Sequence, residues 1–279
     1  MLAADYGGTG PRLDLELVRR GLFASRPRAA AAILAGEVLL DGRPARKAGQ
    51  PAGPGSDVRL RVPDHPYVGR GGVKLAAALD AFALSPTGLV CLDVGASTGG
   101  FTDCMLQHGA LRVYAVDVGY GQLAWRLRRD PRVIVRERVN ARYLTRSEVP
   151  EAVDFVTCDV SFISLAKVLP AVGALVRMEP GRGDLVCLIK PQFEAGPADV
   201  PDGGVVRDPS VHRRVLTTVL AAADTLGWRL QGLVVSPLRG ADGNREFLGH
   251  FRREAAATPW STWVDRALAS AADRAGSDE

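Results

Sequence analysis

The sequence lacks Cys-x-x-Cys pairs and long apolar runs, and no signal peptide is expected from its start. Its four cysteines show no Cys-x-x-Cys spacing, which argues against a zinc site and a disulfide framework. They are Cys91, Cys104, Cys158 and Cys187, and we expect them to be small buried apolar residues. Charged residues or proline interrupt every apolar run, so no membrane span is predicted. The start shows no signal peptide, and the expected compartment is the cytoplasm.

The positive charge of the chain lies at its N-terminus. The net charge is +4, and residues 1–61 hold ten Lys or Arg against six Asp or Glu, whereas the remaining residues balance at 25 against 25. A basic N-terminal segment before a segment without net charge is typical of a polyanion-binding domain that is joined to a separate second domain. Exposed arginines on a solvated face are the alternative interpretation of the same pattern.

The first sixty residues predict a small α+β unit. Apolar residues recur at helical spacing over 12–21 and 25–35, which indicates two short helices. Short strands are expected at 38–40 and 58–62. A Pro- and Gly-rich stretch follows, so we predict an N-terminal domain over 1–62, a linker over 63–72 and a second domain over 73–279.

In the second domain, strands and helices alternate. We predict strands over 89–94, 112–116, 153–158, 184–189, 230–235 and 246–251, with helices over 72–82, 99–108, 163–177 and 208–226. Such alternation predicts an α/β fold with a mostly parallel, Rossmann-like sheet that is covered on both faces. Only a short turn separates the last two strands, so we expect an antiparallel pair at one edge. The residues after 271 are interpreted as a polar tail.

A glycine-rich turn follows the first strand of this domain, at residues 95–100. Small residues there allow the backbone to approach a nucleotide-like ligand, and Asp117 ends the next strand, where a carboxylate can bind a ribose diol. A dinucleotide fingerprint requires glycine at the position of Ser97. Asp93 adds an acid that suits the cationic methionine portion of S-adenosylmethionine. The residues therefore favour that cofactor over a dinucleotide, with a plain strand-to-helix turn as the structural alternative.

Lysine is rare in this arginine-rich chain, which holds only four lysines: Lys47, Lys74, Lys167 and Lys190. Unlike arginine, a lysine can lose its proton and act as a base. Lys190 and Asp159 each follow an apolar strand, Lys74 opens a helix, and Glu246 begins the last strand. Taken singly, each is most simply a solvated terminus. Together they suggest two lysines and two acids around one crevice, one lysine being released as a general base.

These four residues resemble the Lys-Asp-Lys-Glu tetrad of the FtsJ-like ribose 2′-O-methyltransferases. Further stretches are similar to the TlyA (hemolysin A) family, and the N-terminal unit resembles the RNA-binding domain named after ribosomal protein S-four. The stretches are 70–75, 93–102, 117–123, 159–165 and 189–194. Their order along nearly the whole chain makes the resemblance specific.

The resemblance implies methyl transfer from S-adenosylmethionine to a ribose 2′-hydroxyl of ribosomal RNA, on a cytidine of one or both subunits. It implies Lys190 as the base, Asp159 as the residue that orients it, and Lys74 and Glu246 as residues that position the hydroxyl. It implies a cofactor site at Asp93, Gly95, Ala96, Ser97, Thr98, Gly99, Gly100, Phe101, Asp117 and Val118. Arg12, Arg26, Arg28 and Lys47 are the expected phosphate contacts. The expected molecule is a monomer that needs no metal and no membrane.

Three alternatives remain at this point. A non-catalytic RNA-binding or ribosome-assembly protein would not need the intact tetrad. A membrane-damaging protein, as the name hemolysin suggests, would need an apolar or amphipathic segment that the sequence does not show. A nicotinamide-dependent oxidoreductase is disfavoured by Ser97 and by the absence of an obvious hydride-transfer partner. The four histidines, His65, His108, His212 and His250, are expected to be structural.

Overall fold

The structure is a computed structural model of the chain. It describes residues 10–276 except 24, 35, 54, 61–64, 178, 180–182, 241 and 254–258. The contacts between residues divide the chain into two compact units, 1–66 and 67–279. This division falls within the stretch 63–72 that the sequence predicted as a linker, and the exact domain limits stay a prediction.

The first unit contains two helices and a three-stranded sheet. Its elements are α1 (Leu13–Arg19), α2 (Arg26–Leu34), β1 (Val38–Leu40), β2 (Arg43–Pro44) and β3 (Val58–Leu60). The strands are antiparallel in the order β2-β1-β3. Leu13, Leu17 and Ile33 are buried in one apolar core between the helices and the sheet. The predicted helices and strands are present, β2 is additional, and the predicted end of the last strand lies outside the described residues.

The second unit is a layered α/β structure. Its strands are β4 (Val90–Val94), β5 (Arg112–Asp117), β6 (Val133–Glu137), β7 (Phe155–Cys158), β8 (Asp184–Ile189), β9 (Arg229–Val235) and β10 (Phe247–Arg252). Its helices are α3 (Gly71–Phe82), α4 (Gly100–Gln107), α5 (Trp125–Arg128), α6 (Leu165–Gly173), α7 (Pro191–Glu194), α8 (Pro209–Thr225) and α9 (Ser261–Gly276).

The seven strands form one sheet in the order β6-β5-β4-β7-β8-β10-β9. Strands β4 to β8 pair in parallel. Strand β10 lies between β8 and β9 and is antiparallel to both. The predicted mostly parallel, Rossmann-like sheet with antiparallel pairing at one edge is confirmed.

Apolar cores cover both faces of this sheet, as the alternation predicted. One core includes residues of α6, α8 and α9, with Trp228 and Phe251 fully buried. The other includes residues of α3 and α4, with Leu75 and Met105 buried. All four cysteines are buried and free, as expected from their spacing.

Local sequence signals explain where α8 begins and ends. Asp208 is its N-cap and accepts a hydrogen bond from Ser210 N at 2.7 Å, and Pro209 occupies the first turn, where no amide hydrogen is needed. Gly227 follows the helix at a φ of +80°.

Four elements of the second unit were not predicted, namely β6, α5, α7 and α9. Strand β6 pairs with β5, and helix α9 begins at Ser261, ten residues before the predicted polar tail. Val264, Ala267 and Ala271 of α9 are buried, so the helix packs on the core, and its end at Gly276 makes the first residues of the predicted tail helical. Within the described residues, no helix has the length and apolar character needed to cross a membrane.

Candidate active site

The strand register brings the predicted acid–lysine residues to one edge of the sheet. Lys190 directly follows β8 and Glu246 directly precedes β10, and the pairing of Phe247 with Ile189 makes these two residues neighbours across the strands. Asp159 directly follows β7, the next strand along the sheet. Because the carboxyl ends of parallel strands form the ligand-binding edge of such sheets, the three side chains lie where a substrate is expected.

Lys190 and Asp159 form an ion pair. The Lys190 Nζ lies 2.6 Å from Asp159 Oδ1, and it donates a hydrogen bond to Ser161 Oγ at 2.9 Å. The two side chains are 12% and 22% exposed, so a substrate can reach them while most of the surrounding water is excluded. The Lys190 ammonium also lies 5.8 Å from the centre of the Phe193 ring.

Lys74 and Glu246 form a second ion pair, which is buried. Lys74 lies in the first turn and a half of α3, and its Nζ donates a hydrogen bond to Glu246 Oε2. The turn before β10 closes around this carboxylate, because a methyl group at Gly240 would lie 2.7 Å from Glu246 Oε1. The structure thus resolves the predicted tetrad into two lysine–acid pairs.

The glycine-rich turn between β4 and α4 has a backbone that ordinary side chains disfavour. Gly95, Ser97 and Gly99 have φ values of +85°, +48° and +97°. A methyl group at Gly95 would lie 2.4 Å from the backbone oxygen of Asp159. Glycine at this position therefore allows the turn to lie against the loop that contains one of the tetrad acids. Ser97 and Thr98 are exposed at the surface of the turn.

Asp117 ends β5 and Val118 follows it, beside this turn. Asp117 accepts hydrogen bonds from Ser97 N at 2.8 Å and from Gly119 N at 2.6 Å, so its carboxylate is fixed in place. Each carboxylate oxygen has a second lone pair, which a ribose hydroxyl can use. Val118 is 72% exposed and offers an apolar face next to that carboxylate. These features fit a nucleoside-containing cofactor.

Asp93, an expected cofactor residue, is buried at the end of β4, and its contact with the cofactor stays a prediction. This residue is fully buried and accepts hydrogen bonds from Thr102 Oγ1 at 2.6 Å and Thr157 Oγ1 at 3.0 Å. Burial raises its pKa to about 7, and the nearby charge of Asp159 adds to this effect. Asp93 therefore ties the end of β4 to Thr102 of α4 and Thr157 of β7.

The Phe101 side chain, another expected cofactor residue, is also buried. It is 3% exposed and belongs to the apolar core on the α3 and α4 face. Its ring lies close to the start of α3, since a methyl group at Gly71 would be 3.2 Å from Phe101 Cδ1. Gly100 is packed equally tightly, because a methyl group there would lie 2.9 Å from Gly72 N. Gly100 and Phe101 thus pack the start of α4 against the start of α3.

The predicted RNA contacts in the first unit are exposed, and two of them share one acid. Arg12 Nη2 and Arg26 Nε lie 2.9 Å and 2.8 Å from Asp14 Oδ2. Hydrogen bonds from Arg12, and then from Arg26, hold the pKa of Asp14 well below its usual range. Lys47 is exposed, and Arg28 is exposed with a hydrogen bond to the backbone of His65.

Sequence reasoning missed Phe162 in the loop after β7. Its side chain is 90% exposed, its φ is +62°, and its ring centre lies 4.7 Å from that of Phe193. A bulky residue in the left-handed region is strained, and such strain is common at functional sites. The sequence signal is weak, because a lone phenylalanine beside a strand most often packs in a core. No group of three or more His, Cys, Asp or Glu in the described part of the chain could hold a metal ion.

Comparison with known proteins places the chain in a family. A family model described as FtsJ-like methyltransferase matches residues 67–253, and one described as S4 domain matches residues 11–58. The chain is 49% identical over 263 residues to the 16S/23S rRNA (cytidine-2′-O)-methyltransferase TlyA of Mycobacterium tuberculosis, covering 93% of this chain and 92% of that protein. It is 39% identical to Hemolysin A of Brachyspira hyodysenteriae, covering 86% of this chain and 99% of that protein.

A solved structure agrees with these sequence matches. A Streptococcus thermophilus protein gives a TM-score of 0.76 at 40% identity, covering 96% of this chain and 99% of that chain. The fold and the site thus define an FtsJ-like methyltransferase that also contains an S4 domain. Within that class, the chain belongs to the TlyA family.

Proposed function

We propose that the protein transfers a methyl group from S-adenosylmethionine to the 2′-hydroxyl of a cytidine ribose in ribosomal RNA. The observation that carries this proposal is the pair of lysine–acid contacts beside the glycine-rich turn, at the carboxyl edge of the sheet. The M. tuberculosis relative named for this reaction supports the choice of substrate.

The glycine-rich turn and the end of β5 are the proposed cofactor site. Asp117 would accept hydrogen bonds from the ribose hydroxyls, and the exposed Val118 would cover one face of the base. The backbone of Gly95, Ser97 and Gly99 would hold the methionine portion. S-adenosylmethionine supplies an electrophilic methyl group when it is bound.

Lys190 is the proposed general base. A ribose hydroxyl is a poor nucleophile, and a base that takes its proton as the methyl group is attacked lowers the barrier. The ion pair at 2.6 Å and the bond to Ser161 at 2.9 Å hold the Lys190 amine at one point of the crevice. As a neutral amine, Lys190 would take the hydroxyl proton while the oxygen attacks the methyl group, and the Asp159 carboxylate at 2.6 Å would stabilise the ammonium that forms.

Lys74 and Glu246 are the proposed positioning pair for the target hydroxyl. Glu246 is 2% exposed and its carboxylate is compensated by Lys74, so the pair adds a fixed dipole to the crevice without leaving a buried charge uncompensated. The exposed Phe162 ring lies in the same part of the site and offers a stacking surface to an unstacked base.

The test is transfer of labelled methyl from S-adenosylmethionine to purified small and large ribosomal subunits, followed by nuclease mapping. We expect label on a cytidine 2′-oxygen. A Lys190→Ala variant should lose at least about a hundredfold in kcat, the usual scale of general acid–base catalysis. The matched control is Lys167→Ala, because Lys167 is an exposed lysine on α6 and lies outside the site.

Each outcome separates the alternatives. Label on a base instead of a ribose would reject the 2′-hydroxyl as the acceptor. Cofactor binding without label on either subunit or on free ribosomal RNA would favour a non-catalytic RNA-binding protein. Turnover of the Lys190→Ala variant equal to that of the Lys167→Ala control would remove Lys190 as the base.

A further inference from the structure

Glu194 is a half-buried acid beside the tetrad, and the proposed reaction does not use it. It ends α7, the single helical turn that begins directly after Lys190. Phe193 N donates a hydrogen bond to the backbone oxygen of Lys190 at 3.0 Å, so this turn is joined closely to the proposed base. Burial raises the pKa of Glu194. Ionisable groups whose pKa is shifted by burial are frequent at functional sites, so this acid calls for an explanation.

The carboxylate of Glu194 is bonded to the start of α6. Its Oε1 accepts a hydrogen bond from Leu165 N at 2.8 Å, and the Ser164 side chain donates a second hydrogen bond to the carboxylate. Ser164 is the N-cap of α6, and Leu165 is its first residue. The first amides of a helix have no acceptor within it, so an acid from outside can bind them. Leu165 is 1% exposed and packs in the apolar core, so the bond fixes the point where the loop enters the helix.

The loop 159–164 is held near both of its ends by the same short segment. Near its beginning, Asp159 and Ser161 contact the Lys190 amine at 2.6 Å and 2.9 Å. At its end, the loop runs into the two residues that are bonded to Glu194. Lys190 and Glu194 are four residues apart, so one helical turn ties the two contacts to each other.

The middle of the loop shows why two points of attachment are needed. Phe162 has a φ of +62°, a region that a bulky residue enters only at a cost in free energy. Such a conformation persists when its surroundings determine it from several sides. The Phe193 ring lies against Phe162, and Asp159 and Glu194 fix the chain before and after it. Without the bond to Glu194 the loop would relax, and Asp159 would shift relative to Lys190.

We propose that Glu194 is a positioning residue for methyl transfer, because it sets the loop 159–164 so that Asp159 and Ser161 meet the Lys190 amine. The inference rests on the proposed function, which supplies the reaction that the positioning serves. In this role the carboxylate acts through the place of its acceptor oxygen and not through its charge. Such a residue changes kcat and not the affinity for the subunits, since the geometry of a base matters most in the transition state.

Two substitutions in the full chain separate position from charge. Glu194→Gln removes the charge but keeps an acceptor oxygen at the same distance from the backbone. Glu194→Asp keeps the charge but withdraws the carboxylate by one methylene group from Leu165 N. The matched control is Glu148→Asp. Glu148 is also half-buried and accepts a hydrogen bond from Thr145 N at 2.9 Å, and it belongs to none of the proposed sites.

Two arms measure the effect of these substitutions. The first determines kcat and KM for methyl transfer to purified ribosomal subunits. The second determines by mass spectrometry the rate at which acetic anhydride acetylates Lys190, relative to the exposed Lys47. Lys190 is 12% exposed, so a displaced loop should uncover its amine, and this readout requires no methyl transfer. Lys74, which is buried in the second ion pair, reports whether the whole domain has loosened.

The proposal predicts different results for the two variants. Glu194→Asp should lower kcat about tenfold, leave KM within about twofold of the unaltered protein, and raise the acetylation of Lys190 severalfold. Glu194→Gln should remain within about threefold of the unaltered protein in both arms, because its hydrogen bond is retained. The acetylation of Lys74 should stay unchanged in both variants.

Other results would overturn the proposal. Equal losses in the two variants, or a larger loss in Glu194→Gln, would show that position alone does not explain the effect. An equal rise in acetylation at Lys74, or variants that match Glu148→Asp in both arms, would also overturn it. If the unaltered protein transfers no methyl group to either subunit, the proposed function is rejected. The acetylation arm alone then decides whether Glu194 sets the place of Lys190.

Discussion

Asp93 combines full burial with hydrogen bonds to two threonines, and its pKa is raised to about 7 by burial. A carboxyl group whose pKa is raised by folding stabilises the fold below its unfolded pKa, and this contribution is lost as the pH rises through the folded value. In Asp93→Asn the side chain keeps its shape and stays neutral. The free energy of unfolding of the unaltered protein, minus that of the variant, should therefore fall by a few kcal/mol between pH 4 and pH 8. Urea unfolding at several pH values checks this, and parallel pH curves would contradict it.

Gly95 is the residue where the turn and the loop after β7 approach most closely. In Gly95→Ala, the new methyl group would lie 2.4 Å from the Asp159 backbone oxygen, and the φ of +85° would be strained as well. We expect cofactor affinity to fall at least about tenfold and Tm to fall by several degrees. Gly88→Ala separates the steric clash from the backbone strain. Gly88 also has a positive φ, of +70°, but nothing lies within 4 Å of the added methyl group. Calorimetric titration with S-adenosylmethionine checks the prediction, and equal losses in both variants would assign the effect to strain alone.

Single residues could be predicted where their place depended only on a local pattern. Lys190 and Asp159 each follow an apolar strand, and that position alone predicted that they lie at one edge. Asp93 also lies near the end of an apolar strand. Its carboxylate, however, is held by a hydrogen bond from Thr157, which lies on a strand more than sixty residues further along the chain. Sequence spacing carries no information about that contact, so the buried role of Asp93 could not be predicted.

Strands β8 and β10 are joined by a buried acid at the start of β8. Asp184 lies 2.6 Å from His250 Nε2, 2.6 Å from Arg252 Nε and 2.9 Å from Arg252 Nη2. Burial raises its pKa, but the hydrogen bonds from His250 and Arg252 outweigh burial, so the net pKa lies below the ordinary value. The contact thus holds the antiparallel strand against the parallel part of the sheet.

Replacing Asp184 by Asn should therefore lower the free energy of unfolding by about 2 kcal/mol at pH 7, since it removes the charged acceptor of the hydrogen bonds from buried His250 and partly exposed Arg252. A carboxyl group with a lowered pKa stabilises the fold above its unfolded pKa and loses this effect as the pH falls through the folded value. The difference between the two proteins should hence shrink in acid. Denaturant unfolding at pH 7 and near pH 3 measures it. Asp199→Asn, at an exposed pair with Arg214, is the control and should change stability by less than about 1 kcal/mol.

At the scale of elements, the alternation of apolar strands and helices was sufficient to predict the type of sheet but not its strand order. The position of β10 between β8 and β9 depends on pairing across more than fifty residues. Helix α9 had a readable signal at Val264, Ala267, Leu268 and Ala271, which lie at helical spacing. Its alanines are only weakly apolar, so the spacing was not recognised as a helix, and the residues after 271 were interpreted as a polar tail.

The two units divide the charge of the whole molecule unequally. The segment 1–61 carries all of the net charge of +4, and the second unit contains the proposed cofactor and tetrad residues. Among the ten basic residues of this segment, Arg12 and Arg26 pair with Asp14, and Arg19 and Arg20 pair with Glu16. Lys47 is exposed and is the lysine of the first unit. RNA affinity and cofactor affinity should therefore be separable by substitution.

Lys47→Gln tests that separation in the full chain. Loss of one phosphate contact should weaken binding to ribosomal subunits severalfold and lower the slope of log affinity against log salt by about one. The dissociation constant for S-adenosylmethionine should stay unchanged, because no proposed cofactor residue belongs to the first unit. Lys167→Gln makes the same charge change on an exposed face of α6 and should leave both affinities unaltered. Filter binding over a range of salt and calorimetric titration measure the two quantities. If Lys47→Gln weakens cofactor binding as much as RNA binding, then the two units do not act independently.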